Sequence, residues 1–183
     1  FLMDDDDLLI REFRPLDLLR MSQINLDPMT ENFSTGYYLQ YLTAFPGLFL
    51  VAETFCGRIV GYVMAKDEGK DGNYHGHISA LSIAPEMRRK GLSTKLMNEI
   101  ETIFERKGCF FIDLFVNSGN EPAIQLYKKL GYSVFRTVLD YYKLQNPEED
   151  SEENTTALDM RKPLSKDVEK NSLKTVTNEI IAS

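Results

Sequence analysis

A change in hydrophobic period near residue 90 constrains the fold of this 183-residue chain more than any other feature. Residues 75–83 alternate between apolar and polar side chains, which is the pattern of a strand. Further along, apolar side chains recur with the spacing of a helix, at Leu92, Leu96, Ile100, Ile103 and Phe104. The pattern therefore predicts a strand and a helix that are joined by a short turn over residues 88–93.

The predicted turn is basic and contains one glycine, since Arg88, Arg89, Lys90 and Gly91 directly precede the helix. The first amides of a helix have no partner within the helix and lie at the positive end of its dipole. Gly91 allows the backbone to come close to an anion. The turn is therefore suited to a phosphate or pyrophosphate, although a solvated loop that opens a helix has the same composition.

A second strand and helix are predicted later in the chain. The apolar run from Cys109 to Val116 is typical of a strand that is covered on both faces. Asn120 is a good helix N-cap, Pro122 falls in the first turn where its missing N–H costs little, and Gly131 is a stop signal. The sequence therefore predicts a buried strand followed by a short capped helix.

Together these segments resemble the two cofactor-binding motifs of the Gcn5-related N-acetyltransferase (GNAT) superfamily. Arg88 and Gly91 match the first motif, whereas Ser93 stands where the family usually has Gly or Ala. The residues that match the second motif are Asn120, Ala123, Tyr127, Gly131 and Tyr132. The resemblance implies an α/β fold in a single domain, with a mixed, mostly antiparallel central sheet flanked by helices.

The resemblance also implies acetyl-CoA as the cosubstrate. In this family, backbone amides near Ser82 hold the pantetheine arm and the thioester oxygen, and amides of the basic turn hold the pyrophosphate. Tyr127 is then a general acid or a contact to the sulfur, and packing in the core is its alternative role. The predicted cofactor-contacting residues are Leu81, Ser82, Ile83, Arg88, Arg89, Lys90, Gly91, Leu92, Ser93, Asn120 and Tyr127.

The base that takes the amine proton is less well defined by the sequence. A peptide α-amine has a pKa of about 7.7–8.0, so roughly a tenth to a fifth is neutral at pH 7 and a weak base or a bound water suffices. The candidates are Glu31, His75 and the pair Tyr141–Tyr142. We predict a catalytic set of Tyr127, His75 and Tyr142.

A metal site is not predicted. His75 and His77 are two residues apart on a predicted strand and therefore share a face. A metal needs three or four ligands, and the chain has no HExxH motif or cysteine pair to supply the others.

Further segments resemble one branch of the superfamily, the catalytic subunits of the NatB N-terminal acetyltransferases. These segments are Thr30–Phe33, Tyr74–His77, Asp113–Val116, Tyr141–Tyr142, Leu158–Lys162 and Ser165–Lys170. The resemblance implies an enzyme that acetylates nascent protein amino termini beginning Met-Asp, Met-Glu, Met-Asn or Met-Gln. It also implies a heterodimer with a large helical-repeat auxiliary subunit that brings the enzyme to ribosomes.

The same branch implies a peptide site. Phe33, Tyr141 and Tyr142 would line an apolar pocket for methionine, and Glu31 would hold the substrate ammonium group. His75 and Asn120 would donate to the second residue, and a buried donor site strongly rejects substrates that lack the matching acceptor. The predicted peptide-contacting residues are Glu31, Phe33, His75, Gly76, Asn120, Tyr141 and Tyr142.

Charge is unevenly distributed along the chain, whose net charge is −7. Residues 1–144 carry −3 and residues 145–183 carry −4, and no basic face of the kind that binds nucleic acid is indicated. We predict a disordered acidic leader (1–7), an acetyltransferase domain (8–144) with its last strand over 133–142, an acidic linker (145–156) and a tail (157–183) partly ordered on the domain or a partner. Because no run of about twenty apolar residues occurs, we expect no membrane span and a cytoplasmic location.

Two helices are predicted near the start of the chain. The first opens at Pro15 and carries apolar residues at helical spacing, namely Leu16, Leu19, Met21, Ile24 and Leu26. The second covers residues 35–45, and its aromatic side chains suit either the core or a partner-binding surface. We expect the auxiliary subunit to contact these two helices.

Two other functions fit parts of the sequence. A GNAT enzyme that acts on small amines or lysine side chains would share the CoA motifs. A non-enzymatic nucleotide- or CoA-binding module would also use a basic turn with a glycine, although the chain has no GxxxxGK[ST] motif.

Overall fold

The computed structural model describes residues 8–21, 24, 33–142, 155–174 and 180–181. The chain forms two compact units, one of Phe1–Glu68 with Ile78–Lys107 and the other of Gly69–His77 with Gly108–Ser183. The predicted acidic leader and most of the predicted linker fall outside the described residues. None of the helices in the described residues is long and apolar enough to cross a membrane.

The first unit contains a sheet with strand order β1-β2-β3-β4, in which β2 is antiparallel to both β1 and β3. Its described elements, in chain order, are β1 (Leu8–Glu12), the 3-10 helix Pro15–Arg20, α1 (Thr35–Ala44), β2 (Phe49–Thr54), β3 (Ile59–Glu68), the later part of β4 (His75–Ile83), the 3-10 helix Pro85–Met87 and α2 (Leu92–Lys107). The strand, basic turn and helix predicted around residue 90 are therefore confirmed.

Helix α2 packs closely on its sheet because β3 has a glycine at the contact. A Cβ atom on Gly61 would lie 2.9 Å from Ile83 Cδ1 and 3.3 Å from side-chain atoms of Leu92 and Leu96. The buried apolar positions of α2 include four of the five residues that gave the helical spacing: Leu92, Leu96, Ile100 and Phe104. Packing of this face fixes the start of α2, and with it the basic turn.

The predicted helix that opens at Pro15 begins as a 3-10 helix. Leu16 and Leu19 are 71% and 81% exposed, so the apolar residues that showed helical spacing in this segment do not form one buried face. In a 3-10 helix, residues three apart lie on one face, and the buried position between these leucines is Asp17. Met21 and Ile24 are fully buried.

Asp17 is buried because Arg11 of β1 pairs with it. Two Arg11 nitrogens lie 2.7 and 2.8 Å from the carboxylate oxygens, and the Arg14 amide donates to the same group. Burial acts to raise the pKa of Asp17, but these hydrogen bonds outweigh it and the pKa is lowered below its ordinary value. Arg11 also donates to Glu53 on β2 over 2.6 Å. This network fixes the 3-10 helix to two strands and leaves its leucines exposed.

The aromatic side chains of α1 are used in the core. Tyr38 is 2% exposed and packs against Phe49 and Tyr62, with ring centroids 6.1 and 6.2 Å away. The Tyr41 hydroxyl lies 2.7 Å from Ser79 Oγ. Of the two roles predicted for this helix, core packing therefore applies to these tyrosines, while Leu39 is 37% exposed.

The second unit contains a sheet with strand order β4-β5-β7-β6-β8, in which β7 is antiparallel to both neighbours and β8 is parallel to β6. Its described elements are the 3-10 helix Asp71–Asn73, the first residues of β4, β5 (Phe111–Asn117), α3 (Glu121–Lys129), β6 (Ser133–Leu139), β7 (Ala157–Pro163), the 3-10 helix Asn171–Leu173 and β8 (Ile180–Ile181). The buried strand and capped helix predicted after residue 109 are confirmed.

Strand β7 lies between β5 and β6, so residues of the predicted tail form part of this sheet. The expectation that residues 133–142 form the last strand is wrong for this reason. Asp159 and Met160 of β7 are fully buried, and Asp159 is paired with Arg136 of β6 and with Arg161, at 2.8 and 3.2 Å. A charged residue in the centre of β7 weakened its apolar pattern in the sequence.

Candidate active site

The basic turn of the first unit exposes its backbone. Arg89 and Gly91 have φ angles of 63° and 81°, in the left-handed region that favours glycine. A Cβ atom on Gly91 would meet nothing within 4 Å. The space next to the Cα atom of Gly91 is therefore open. An anion needs such space to approach the first amides of α2.

The three cations of the turn differ in their surroundings. Arg88 Nε donates to the carbonyl of Ile83 over 3.1 Å, so this side chain ties the turn to the end of β4. Arg89 and Lys90 are exposed. The predicted residues Leu81, Ser82 and Ile83 lie on β4 and are half-buried.

Tyr127 lies on α3 in the second unit and is 9% exposed. Its ring meets Tyr132 edge to face, with centroids 5.9 Å apart. Burial raises the pKa of Tyr127 to about 12, and no side chain in the described residues makes a hydrogen bond to its hydroxyl. At neutral pH this hydroxyl keeps its proton and is available as a donor.

Asn120 begins α3. Its side-chain oxygen accepts a hydrogen bond from the Ala123 amide over 3.2 Å, which is the N-cap interaction predicted from the sequence. This cap fixes the start of the helix that carries Tyr127 two turns later. The oxygen of Asn120 is thus already engaged in the structure.

His75 is held on three sides within the second unit. Its Nδ1 lies 2.6 Å from the carbonyl oxygen of Asn73, and its ring stacks on Phe111 with centroids 4.5 Å apart and an interplanar angle of 5°. Its Nε2 lies 3.6 Å from Asp113 Oδ2. The His75 side chain is only 9% exposed, so these contacts leave the ring little freedom.

Asp113 connects the two histidines of β4. Its Oδ1 lies 2.8 Å from His77 Nδ1, while Oδ2 faces His75. Both histidines reach one carboxylate, as expected for residues that share a face of a strand. No group of three or more side chains that would hold a metal ion occurs in the part of the chain that the structure describes.

A line of aromatic contacts continues from this cluster. Phe115 lies 5.9 Å from the His77 ring and stacks on Tyr141 at 4.7 Å. Tyr142 meets Tyr141 edge to face at 5.1 Å, and its amide donates to the Thr155 carbonyl. The two tyrosines predicted for the peptide site are thus joined to the histidine cluster through Phe115.

The remaining predicted residues are distributed as follows. Phe33 belongs to the first unit, where it stacks on Tyr37 at 4.8 Å. Gly76 lies on β4 between the two histidines and is buried. Glu31 lies outside the described residues, so its role stays a prediction.

Sequence reasoning assigned no role to Asp113, Phe111 or Phe115. The three alternate along β5, so they share one face of that strand. A single carboxylate in an otherwise apolar run was the signal for Asp113, because a charge in a buried strand needs a partner.

Comparison with known proteins defines the class of this chain. Residues 18–132 match the Acetyltransferase (GNAT) family, which is more than half of the chain. This match confirms the predicted acetyltransferase fold, a mixed sheet flanked by helices.

Individual relatives narrow the class. The N-terminal acetyltransferase B complex catalytic subunit NAA20 of Arabidopsis thaliana is 47% identical over 90% of both chains, and that of Schizosaccharomyces pombe is 43% identical over 90% of this chain and 89% of its own. The crystal structure of Chaetomium thermophilum Naa20 in complex with a bisubstrate analogue has a TM-score of 0.85 and 38% identity, and covers 94% of this chain and 96% of that one. The chain therefore belongs to the GNAT acetyltransferases, in the branch of the catalytic subunits of N-terminal acetyltransferase B.

Proposed function

We propose that this chain transfers the acetyl group of acetyl-CoA to the α-amine of proteins that begin Met-Asp, Met-Glu, Met-Asn or Met-Gln, as the catalytic subunit of a NatB complex. The observation that carries the proposal is the similarity, over nearly the whole length of both chains, to an Naa20 that binds a bisubstrate analogue. A related NatB complex has been solved with CoA, at 42% identity and a TM-score of 0.75.

The exposed turn of the first unit is the proposed pyrophosphate site. Amides of residues 89–93 would bind the phosphate oxygens, and Arg89 and Lys90 would add positive charge. The amides of Leu81, Ser82 and Ile83 would hold the pantetheine arm and the thioester oxygen. The open space at Gly91 supports this assignment, because a phosphate needs direct access to the backbone.

The substrate ammonium group loses two protons during the reaction. His75 Nε2 accepts the first from the substrate ammonium group, and the neutral nitrogen then attacks the thioester carbonyl carbon. The C–N bond forms, the C–S bond breaks, and the second proton passes from nitrogen to the departing thiolate. The products are the N-acetylated chain, CoA as its thiol, and one proton that His75 releases to solvent.

We assign Tyr127 to the departing sulfur as a hydrogen-bond donor. A thiol has an ordinary pKa of about 8.5, whereas burial raises the pKa of Tyr127 to about 12. Complete transfer of the phenolic proton to a thiolate would therefore be uphill by about 5 kcal/mol. A hydrogen bond from the neutral hydroxyl stabilises the developing negative charge without that cost.

Tyr141 and Tyr142 are assigned to the methionine side chain as apolar contacts. Phe33, in the first unit, is a further proposed contact of the peptide, and Glu31 is proposed to hold the ammonium group. Asn120 and Gly76 complete the proposed peptide site. The aromatic contacts of Tyr141 with Phe115 and Tyr142 support the assignment, because fixed rings make a better-defined apolar pocket than mobile ones.

A peptide panel tests the proposed function. Turnover is expected with Met-Asp, Met-Glu, Met-Asn and Met-Gln peptides, and little with a Ser-Ala peptide or with a peptide whose α-amine is blocked and whose lysine is free. Faster acetylation of the lysine or of small amines would favour the other GNAT function. Binding of CoA without acetylation of any amine, with or without an auxiliary subunit, would favour the non-enzymatic module.

We further propose a helical-repeat auxiliary subunit, cytoplasmic location and ribosome association. Leu16 and Leu19 are the proposed contact, because the Arg11–Asp17 network holds two mostly exposed leucines on one face of a short helix. Replacement of both leucines by serine should reduce copurification with the auxiliary subunit. Phe55→Ser is the matched control, since Phe55 is 93% exposed on the β2–β3 hairpin. Equal loss of the complex in the control would contradict this contact.

A further inference from the structure

We propose that Asp113 is a positioning residue for acetyl transfer: it acts through His75 and stabilises the proton that His75 takes from the substrate. The proposal rests on the function proposed above. Nothing in the sequence motifs gives Asp113 this role, and the contacts of its two carboxylate oxygens carry the argument.

The partners of Asp113 distinguish it from the other buried aspartates in the described residues. Asp17 and Asp159 are paired with arginines. Asp167 accepts hydrogen bonds from two backbone amides and the Ser172 hydroxyl. Asp113 is 6% exposed, and its hydrogen-bonding and charge partners are two imidazoles. A buried carboxylate is stabilised by a positive partner, and an imidazole supplies that charge only when it carries a second proton.

The hydrogen bonds of His75 determine which of its nitrogens is basic. A backbone carbonyl oxygen can only accept a hydrogen bond, so the 2.6 Å contact with Asn73 places a proton on His75 Nδ1. The lone pair of the neutral ring is then on Nε2, which faces Asp113 Oδ2 at 3.6 Å. While the His75 ring is neutral, this contact is between two hydrogen-bond acceptors. A proton on Nε2 converts it into an ion pair.

The same geometry fixes the ring for that step. The parallel stack on Phe111 sets the plane of the imidazole, and the Asn73 carbonyl sets its rotation in that plane. His77 Nδ1 donates to Asp113 Oδ1 over 2.8 Å and thereby holds the carboxylate in place. His77 thus leaves Oδ2 directed at His75.

The proton balance of the step is simple. The substrate ammonium group loses one proton to His75 Nε2, which yields a neutral amine and an imidazolium. Asp113 remains a carboxylate throughout and takes no proton. The imidazolium later returns its proton to solvent, which restores the neutral ring for the next turnover.

The test compares Asp113→Asn with Asp167→Asn, a control that removes an equally buried carboxylate of the same unit, at 6% exposure. The rate of acetyl transfer to a Met-Asp peptide is measured in a single turnover, in whichever form, free chain or complex, the unmodified protein is active. Asp113→Asn should lower this rate roughly 10- to 30-fold, no more than the loss of His75 itself, with little change in CoA affinity. Asp167→Asn should lower it less than about twofold.

A double-mutant cycle separates positioning from simple structural support. In a His75→Ala background, Asp113→Asn should have almost no further effect, because the residue through which Asp113 acts is gone. An undiminished effect of Asp113→Asn in that background would overturn the proposal, and so would an unchanged rate in the single variant. If the unmodified protein acetylates no Met-Asp peptide in either form, the proposed function fails first and the role of Asp113 falls with it.

Substitutions of His77 test the same proposal if the Asp113→Asn variant does not fold. His77→Asn places an amide donor near the position of Nδ1 and should retain most of the rate. His77→Leu removes the donor and should lower the rate about three- to tenfold, an effect that should again vanish without His75. Equal rates for the two His77 variants would count against the proposal.

Discussion

The basic turn of the first unit is exposed and its proposed role uses backbone amides, whereas the His75–Asp113 cluster of the second unit is buried and its proposed role uses side chains. Gly91 has open space where a side chain would stand. His75 and Asp113 are only 7% and 6% exposed. The two proposed roles therefore have opposite requirements for exposure to solvent.

The difference reflects the chemistry that each region performs. A pyrophosphate brings its own charge and needs amides that it can reach, so exposure is an advantage. A proton acceptor needs one defined tautomer and one defined direction, and burial among fixed partners supplies both. Substitutions should accordingly change cofactor affinity in the first region and the rate of chemistry in the second.

The largest expected effect is from Tyr127→Phe in the second unit. Loss of the hydroxyl that is proposed to donate to the sulfur should lower the single-turnover rate about 100-fold, with the Kd for acetyl-CoA nearly unchanged. Tyr132→Phe is the matched control, because Tyr132 is 2% exposed and contacts the same ring. An equal loss in both variants would indicate a packing effect.

The pH dependence adds a second check on Tyr127. Because burial raises its pKa to about 12, the hydroxyl is still protonated at pH 10 and its donor function should persist there. Activity measured between pH 8 and 10 should therefore show no decline that disappears in Tyr127→Phe. Such a decline would mean that Tyr127 ionises within this range and would contradict its assignment as a neutral donor.

The next effect concerns His75 and separates its two predicted roles. If His75 is the base, His75→Ala should lower the rate by a similar factor, roughly 30-fold, for Met-Asp and Met-Asn peptides. If it is a donor to the second residue, the loss should be concentrated in Met-Asp and Met-Glu peptides. The contact of Nε2 with a carboxylate favours the base, since in the neutral ring that nitrogen is an acceptor. A loss confined to the acidic peptides would reverse this assignment.

A smaller effect is expected from Gly91→Ala in the first unit. An L-residue in the left-handed region costs roughly 1–2 kcal/mol, so the turn should shift and weaken CoA binding about tenfold. Gly57→Ala is the matched control, because Gly57 has a φ of 80° and only ordinary contacts for a Cβ. Both variants should lose similar stability, and only Gly91→Ala should change the Kd for CoA. Unchanged CoA affinity in Gly91→Ala would break the contrast between the two regions.

The exposed region was largely predictable from the sequence. The period change at residue 90, the glycine of the turn and the Asn120 cap are local signals, and local backbone chemistry determines local structure. The sequence did not indicate that the Arg88 side chain, predicted as a cofactor contact, also donates from Nε to the Ile83 carbonyl and so ties the turn to β4.

The buried region was only partly predictable. The resemblance predicts roles for His75, Tyr127 and Tyr142, but the pairing of His75 with Asp113 depends on how two strands of distant sequence lie side by side. Strand β7 was missed for a related reason, because its buried Asp159 is paired with Arg136 on the neighbouring strand as well as with Arg161 on β7 itself. Spacing along one segment does not encode such partners.

The smallest expected effect is from Lys90→Ala, which removes one exposed cation from the turn. An exposed charge in high dielectric contributes little, so the Kd for CoA should rise only about two- to threefold at low salt. The difference should nearly vanish toward 1 M salt, where the Debye length falls to about 3 Å. Lys128→Ala, which removes an exposed lysine on α3, should leave CoA affinity unchanged at both salt concentrations. A loss in Lys90→Ala as large as that in Gly91→Ala would mean that this turn binds its anion mainly through side-chain charge, and the contrast with the buried cluster would no longer hold.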